Sequence, residues 1–503
     1  MAKIIIIGGG VSGLAAGIYA KLSGHSVTIC ERQGVAGGNL TAWRRGKYEI
    51  DNCIHWLTGT NPSSDTYKMW EDLGALGGGV EVYQPESLYT CRLGELELSL
   101  SQSLKKLEHD MLKISPDDKK EINSLIKAVK LMQRLCGIGG EENDEGLTNV
   151  KDLAGISDLA KCYYLSAKEL SERFKHPLLR SFIEAFWGDD FGALAMICVF
   201  AHFCGKNGGI PRYGSRGMAE RMTNRFKSLG GELLLGSEVK KLNSDMGCAH
   251  SVTLSDGREL FADYFIVTID PRVAFDGIID APMPHKIAAS YENKRLNRFS
   301  SIQCAFSCEM TALPFRGDLI LNISKSSPHF YGAEKLVLRE FSHEKSYAPE
   351  EKTVIQAMIF CQESVCLDFI DLRERDRATY IAKKLDFAAA IEKEILRSLP
   401  ELQGKIELLD IWTPATYRRY VASEIGSYMS FTLPSKFLSK RKSNRVSQLY
   451  NVILATQWQQ CPGGLPIAAK GGQLAIRTVD RVEEEKEARA KGKFTTTATV
   501  KNS

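Results

Sequence analysis

The sequence predicts an α/β fold with a Rossmann-like dinucleotide-binding unit at its start. Two observations carry this expectation. An apolar run leads straight into a glycine triad and a helix-forming stretch, and a second apolar run then stops at an acidic residue at the spacing such units require. Lys3-Ile4-Ile5-Ile6-Ile7 reads as a buried parallel strand, Gly8-Gly9-Gly10-Val11-Ser12-Gly13 as the phosphate turn, and 14–22 as the helix. Gly8 permits the tight bend, Gly10 lets backbone approach a pyrophosphate, and Gly13 lets helix and strand pack closely. Val11 and Ser12 open the helix, whose N-terminus attracts anionic phosphate. Ser26-Val27-Thr28-Ile29-Cys30 is a second strand, and it ends at Glu31, which can accept both hydroxyls of an adenosine ribose. An acid there suits NAD and FAD alike.

The next motifs separate the two. After Glu31 and Arg32 comes a second glycine pair, Gly37-Gly38, with Asn39-Leu40-Thr41, and then Tyr48-Glu49-Ile50-Asp51-Asn52-Cys53-Ile54-His55-Trp56. Far downstream, Pro211-Arg212-Tyr213-Gly214-Ser215-Arg216-Gly217-Met218 is a turn ahead of a helix reaching Leu229, followed by strand-like 232–235. Near the other end, a strand over 449–458 leads into Cys461-Pro462-Gly463-Gly464-Leu465-Pro466. In these motifs the chain resembles the flavin-dependent amine oxidase superfamily. Through Thr413-Pro414-Ala415-Thr416-Tyr417-Arg418-Arg419-Tyr420 and Gly426-Ser427-Tyr428-Met429 it resembles the phytoene desaturase, carotenoid isomerase and retinol saturase branch in particular. It departs from the superfamily at Asn39, where arginine is common, and at Cys53, where glycine is usual.

The resemblance implies FAD as the cofactor. Gly8, Gly10, Val11, Ser12, Gly13, Glu31, Arg32, Gly37, Gly38, Asn39, Leu40 and Trp56 would hold it from the first stretch, and the backbone of Val239 would meet the adenine at the end of the strand after the second helix. Thr456, Gly463, Gly464 and Leu465 would meet the flavin end, where a helix dipole stabilises negative charge on the reduced ring. The order of motifs implies a discontinuous FAD-binding domain over 1–75, 206–275 and 411–482. An α+β substrate domain, a mixed sheet plus helices, would be inserted as 76–205 and 276–410, with a charged, disordered tail over 483–503. His55 could donate a proton, stack on the ring or serve structure alone. Tyr417 and Tyr420 could line the flavin face, donate a proton or close the domain interface.

The implied activity is an FAD-dependent oxidoreductase acting on carbon–carbon bonds of a lipophilic polyene or isoprenoid, by desaturation, saturation or isomerisation. Flavin N5 would exchange hydride while the protein places the bond and excludes water. An amine or porphyrinogen oxidase is the nearest enzymatic alternative. A flavin-free lipid-binding protein of the Rab GDP-dissociation inhibitor type is the alternative of another class. The second Rossmann fingerprint that a resident NAD(P)H would need is missing, so reduced nicotinamide would bind transiently.

Within the insertions, Ser115-Pro116 reads as a cap and first turn for a helix through Leu135, and 137–146 as a loop bearing Glu141, Glu142, Asp144 and Glu145. The run 194–201 is apolar all round, a buried helix or the wall of a lipophilic tunnel. Strands near 300–306 and 351–360 and a helix over 378–399 complete the second insertion.

Composition fits a large enzyme of two or three folding units rather than a nucleic-acid binder, since a net charge of +4 on 503 residues makes no strong electrostatic footprint. The thirteen cysteines include no Cys-x-x-Cys pair, so neither a disulfide framework nor a metal site is expected, and a reducing cytoplasmic setting is. The chain enters its first strand directly, leaving no room for a signal. His25, His109 and His250 read as surface residues. Lys436, Lys440, Arg441, Lys442 and Arg445, with Phe437 and Leu438 among them, could dock peripherally on an anionic membrane or form an exposed loop.

Overall fold

The computed structural model describes residues 1–138, 150–185, 191–324 and 326–490. The acidic loop residues Glu141, Glu142, Asp144 and Glu145 lie outside them. The chain builds two main sheets. The first has six strands in the order Glu232–Leu234, Ser26–Cys30, Lys3–Ile7, Tyr264–Val267, Leu449–Leu454 and Arg445–Val446, parallel except at the last pair. Lys3–Ile7 is central, so both its faces are covered. Ile4 and Ile6 pack under helices Val11–Leu22, Gly214–Ser228 and Leu465–Ala490, while Ile5 and Ile7 pack toward a three-stranded sheet of Val239–Asp245, Cys248–Leu254 and Glu259–Phe261. That two-sided burial is why the strand is apolar without alternation.

The second sheet has seven strands, in the order Ile406–Trp412, Phe299–Glu309, Lys352–Gln362, Lys335–Glu340, Asp318–Asn322, Ser87–Leu93 and Leu96–Ser101. Only Asp318–Asn322 and Ser87–Leu93 pair in parallel, which is where the two inserted stretches join. Helices Leu104–Ile114, Lys119–Leu135, Pro177–Glu184 and Ala193–Cys204 cover one face, and Glu363–Arg375 and Arg377–Ser398 the other.

Several expectations change. Ile406–Trp412 is an edge strand of the seven-stranded sheet and helix Pro414–Val421 packs beside it, so the third stretch rejoins the nucleotide sheet only at Arg445–Val446. The strand after helix Gly214–Ser228 ends at Leu234, and Val239 opens the following strand instead. Ser115 stands at the N-cap position with Pro116 first in the turn, as expected, but that turn is a short 3₁₀ one ahead of helix Lys119–Leu135, and the Ser115 hydroxyl makes no capping bond, donating instead to Asp118 (2.7 Å). His25 is buried at 5% exposure, accepting from the Ala2 N–H at Nδ1 (3.1 Å) and pairing with Asp480 at Nε2 (2.8 Å), because the last helix crosses over the start of the first strand. That helix also runs to Ala490, past the start of the expected tail. Glu483 accepts from the Tyr264 hydroxyl (2.8 Å) and from Lys486 (2.9 Å), which anchors a turn that composition alone reads as frayed.

Candidate functional site

A cavity of about 1230 Å³ runs from the C-terminal ends of the parallel strands to the face of the seven-stranded sheet. Ligand pockets usually span about 300–1,000 Å³, so this one has room for a dinucleotide and a second molecule. Its first half is built by the opening unit. Gly8 sits at φ +104°, a conformation that side chains other than glycine rarely adopt, and a Cβ on Gly13 would lie 2.0 Å from the Gly8 carbonyl oxygen. These constraints bring the N-terminus of helix Val11–Leu22 to the cavity with no side-chain cap at Gly10 and no acid in its first turn. Helix Leu465–Ala490 points its own N-terminus at the same space through Gly463, Gly464 and Leu465, again without a first-turn acid. Two uncompensated helix dipoles therefore converge where an anionic cofactor would lie.

The remaining walls of this half are polar in a directed way. Glu31 accepts from the Gly9 N–H at Oε2 (2.7 Å) and the Gln33 N–H at Oε1 (2.8 Å), which leaves lone pairs toward the cavity. Burial pushes its carboxyl up, and the backbone donors with Arg32 oppose that. Arg32 donates to the carbonyls of Arg418 (3.2 Å) and Arg419 (2.8 Å), tying helix Pro414–Val421 to the nucleotide sheet. Thr456 Oγ1 accepts from the Trp458 N–H and shapes the turn before the last helix. Asn39 Nδ2 donates to the Tyr428 carbonyl (3.2 Å), while its Oδ1 and the Ser427 hydroxyl are buried on the cavity wall with no partner among the described residues. Two orphaned buried polar atoms beside a glycine-lined cradle fit a dinucleotide that supplies their hydrogen bonds. When bound there, FAD supplies a two-electron hydride acceptor and donor.

The second half begins at His55. Asp51, which is buried, holds the segment in place by accepting from the Ser215 N–H (2.7 Å), the Cys53 N–H (3.1 Å) and the Tyr347 hydroxyl (2.8 Å). His55 then lines the cavity with Trp56, its Nδ1 3.5 Å from Asp318. Arg339 bonds the Ile54 carbonyl and lies 3.8 Å from the other oxygen of Asp318. Burial, and then the Arg339 charge, hold His55 below its ordinary value against the pull of Asp318, so the ring is neutral at pH 7. Phe299, Phe360, Cys361 and Tyr428 form the wall beyond, with the Phe299 ring 5.8 Å from both Tyr428 and Phe360. Leu88, Ala195, Val199, Val337 and Met358 extend that surface. Helix Ala193–Cys204 thus serves both readings of its apolar run: Met196, Phe200 and Phe203 are core, while Ala195 and Val199 face the cavity.

Every residue expected to bind cofactor lines this cavity except Gly13, which acts through packing. The tyrosines fall differently. Tyr417 is not on the wall: its buried hydroxyl donates to Asn52 (2.8 Å) and accepts from Gln303 (2.8 Å) and Trp412 (3.1 Å). Tyr420 is 49% exposed at the rim, where its carbonyl accepts from Gln33 near Glu31, on the ribose side. Sequence reasoning missed Thr268 and Asp270. They follow strand Tyr264–Val267 at the cavity edge, and Asp270 caps helix Pro271–Gly277 while accepting from the Tyr291 hydroxyl (2.6 Å). The apolar run 264–267 before an Asp-Pro helix start was the available signal.

A Rossmann-type cradle facing an inserted sheet across one apolar cavity defines an FAD-dependent oxidoreductase. The chain belongs to the flavin containing amine oxidoreductase family, whose profile matches residues 11–304. It is 25% identical to a chloroplastic prolycopene isomerase of Arabidopsis thaliana, over 84% of this chain and 73% of that protein. It is 22% identical to a 4,4'-diapolycopene oxygenase of Methylomonas sp, over 94% of this chain and 97% of the other. In fold it is similar to an oxidoreductase from Methanosarcina mazei, with a TM-score of 0.61 at 15% identity over 94% of this chain and 100% of that one.

Proposed function

We propose that this enzyme acts on the carbon–carbon bonds of a linear, lipophilic polyene, by isomerisation or desaturation. The observation that carries the reading is the continuous apolar and aromatic wall that leaves the dinucleotide cradle at Tyr428, Phe299 and Phe360 and continues through Val337, Met358 and Val199. A polyene needs such a channel and no ion pair. An amine would need an anion or free acceptor there, whereas the charged wall residues are engaged: Glu184 accepts from Ser171 (2.7 Å), Lys335 donates to Asn322 (2.6 Å), and Asp318 faces Arg339. The relatives named for prolycopene and diapolycopene support the same substrate class. His55, neutral and beside the channel, can hold or accept one proton but carries no positive charge to a hydrocarbon.

Electrons for the flavin come, in this proposal, from reduced nicotinamide bound transiently. Anaerobic addition of NADPH to the FAD-loaded protein tests both points: bands near roughly 370 and 450 nm identify the oxidised flavin, and their bleaching identifies the donor. Bands that persist with NADPH but fade with a polyene would replace the donor reading by desaturation.

A membrane surface is the proposed source of substrate. Lys436, Lys440 and Arg445 are exposed, as is Leu438 at 64%, and this loop continues from Leu433 on the cavity wall. Arg441 turns inward to donate to the Ile467 carbonyl (2.9 Å) and Lys442 is half-buried, so three of the five cations remain for lipid. At about 1 kcal/mol each they would contribute about 3 kcal/mol to docking on anionic vesicles.

A further inference from the structure

Away from the cofactor cradle, helices Lys119–Leu135 and Ala193–Cys204 bring three reactive side chains together. Cys136 ends the first helix, and Cys198 and His202 lie at i and i+4 on the second; the two Sγ atoms and a ring nitrogen are within 4.8 Å of one another. Cys198 and His202 also line the cavity, and Cys136 is half-buried.

The hydrogen bonds around His202 decide what this cluster can hold. Asn207 Oδ1 accepts from the Asn61 N–H (2.9 Å), which fixes the amide so that its Nδ2 donates to His202 Nδ1 (3.0 Å). The ring proton is therefore on Nε2, and that N–H is the donor available to Cys136. A metal site would need the opposite arrangement, with one ring nitrogen free and the other donating to an acceptor. The pair of sulfurs with an N–H donor is instead the environment of a stabilised thiolate.

We propose that Cys136 is a nucleophilic thiolate that reacts with hydrogen peroxide and then closes onto Cys198, forming a disulfide in the wall of the substrate channel. In the first step the Cys136 sulfur attacks one peroxide oxygen. An S–O bond forms, the O–O bond breaks, and the departing hydroxide takes up a proton to leave as water. In the second step the Cys198 thiol gives up its proton as its sulfur attacks the sulfenic sulfur; the S–S bond forms, the S–O bond breaks, and the departing hydroxide takes that proton to leave as a second water. Two thiols lose two electrons and one peroxide gains them.

Other thiols are poor competitors. The Cys198 hydrogen bond, and then that of His202, pull the Cys136 thiol well below its ordinary range against burial, and the bond to Cys136 pushes Cys198 up. Burial pushes Cys53, Cys91 and Cys204 up to about 12. Cys361 and Cys366, 3.8 Å apart, are both buried, and although Cys361 touches the cavity wall, burial pushes its thiol up as well. Closure draws Cys198 off the cavity wall toward Cys136, so the oxidised channel has a different lining beside Val199.

Site-resolved alkylation of the full-length, FAD-loaded protein tests this. Iodoacetamide labelling of Cys136, followed by peptide mass spectrometry across pH, should plateau below pH 7, whereas an ordinary cysteine is still rising near about 8.5. His202→Gln should move the Cys136 profile up and leave the flavin spectrum unchanged. Peroxide should then give a linked Cys136–Cys198 peptide in the wild type, and a dimedone adduct at Cys136 without linkage in Cys198→Ser. A Cys136 profile centred at the ordinary value, or peroxide treatment that yields no linked peptide, would overturn the proposal. Zinc that copurifies in stoichiometric amount and shields Cys136 until chelated would overturn it too, in favour of a metal site.

Discussion

Replacing Tyr417 by Phe removes one buried oxygen and nothing else, which makes it a sharp test of whether this residue acts on substrate or on structure. Its hydroxyl joins three elements: Asn52 in the segment leading to His55, Gln303 in strand Phe299–Glu309, and Trp412 at the end of strand Ile406–Trp412. Gln303 keeps a second bond to Ser301 (2.8 Å), but the Trp412 N–H and Asn52 Oδ1 are left unpaired at 2% and 9% residue exposure. An orphaned buried donor or acceptor costs about 1–3 kcal/mol, so the loss should be about 3 kcal/mol. At about 2–4 °C per kcal/mol for a domain of 150–250 residues, the midpoint should fall by about 6–12 °C. Thermal unfolding followed by tryptophan fluorescence reads the first effect. Turnover per bound flavin, measured well below the midpoint, reads the second and should stay within about threefold. An unchanged midpoint with turnover reduced a hundredfold would refute the structural assignment and restore Tyr417 to the reaction.

The other predictions concern the cradle, the histidine and the basic loop. Gly13→Ala forces a Cβ to 2.0 Å from the Gly8 carbonyl oxygen, so the purified variant should lack flavin absorbance even after incubation with FAD. Asn39→Leu removes an orphaned acceptor, and losing one hydrogen bond of about 1–1.5 kcal/mol should weaken FAD binding roughly tenfold, read by fluorescence titration. His55 is held below its ordinary value of 6.5, so between its lowered folded value and 6.5 the unfolded chain binds more protons. Its stabilising share is complete above 6.5 and is lost as pH falls through that window; the drop in melting temperature from about pH 7.5 to 5.5 should be smaller in His55→Gln than in the wild type. Reversing Lys436, Lys440 and Arg445 to Glu should abolish sedimentation with phosphatidylserine vesicles and leave turnover of detergent-solubilised substrate intact; vesicle binding equal to wild type would remove that loop from the account.

The nucleotide half of the site was legible because its parts are local. A glycine at positive φ, a helix start and an acid at a strand end are all written within one βαβ unit, and Gly8, Gly13 and Glu31 occupy the places their spacing implies. The far wall was not legible, since Phe299, Phe360 and Val337 come from strands whose neighbours are set by long-range pairing. Tyr417 shows the same limit: a motif located the residue, but only the partners Asn52 and Gln303, brought from distant strands, show where its hydroxyl points. His25 and the cluster of Cys136, Cys198 and His202 had no local pattern that could reveal their partners.

The central claim is that the channel beyond His55 presents a polyene, not an amine, to the flavin. Chromatographic analysis of prolycopene and of phytoene, each incubated anaerobically with FAD-loaded protein in its oxidised and its reduced form, tests it most directly when run beside putrescine with flavin absorbance recorded. The expected result is conversion of at least one polyene to an isomer or a more unsaturated product, with no bleaching by putrescine. Unaltered polyenes together with flavin bleached by the amine would contradict it.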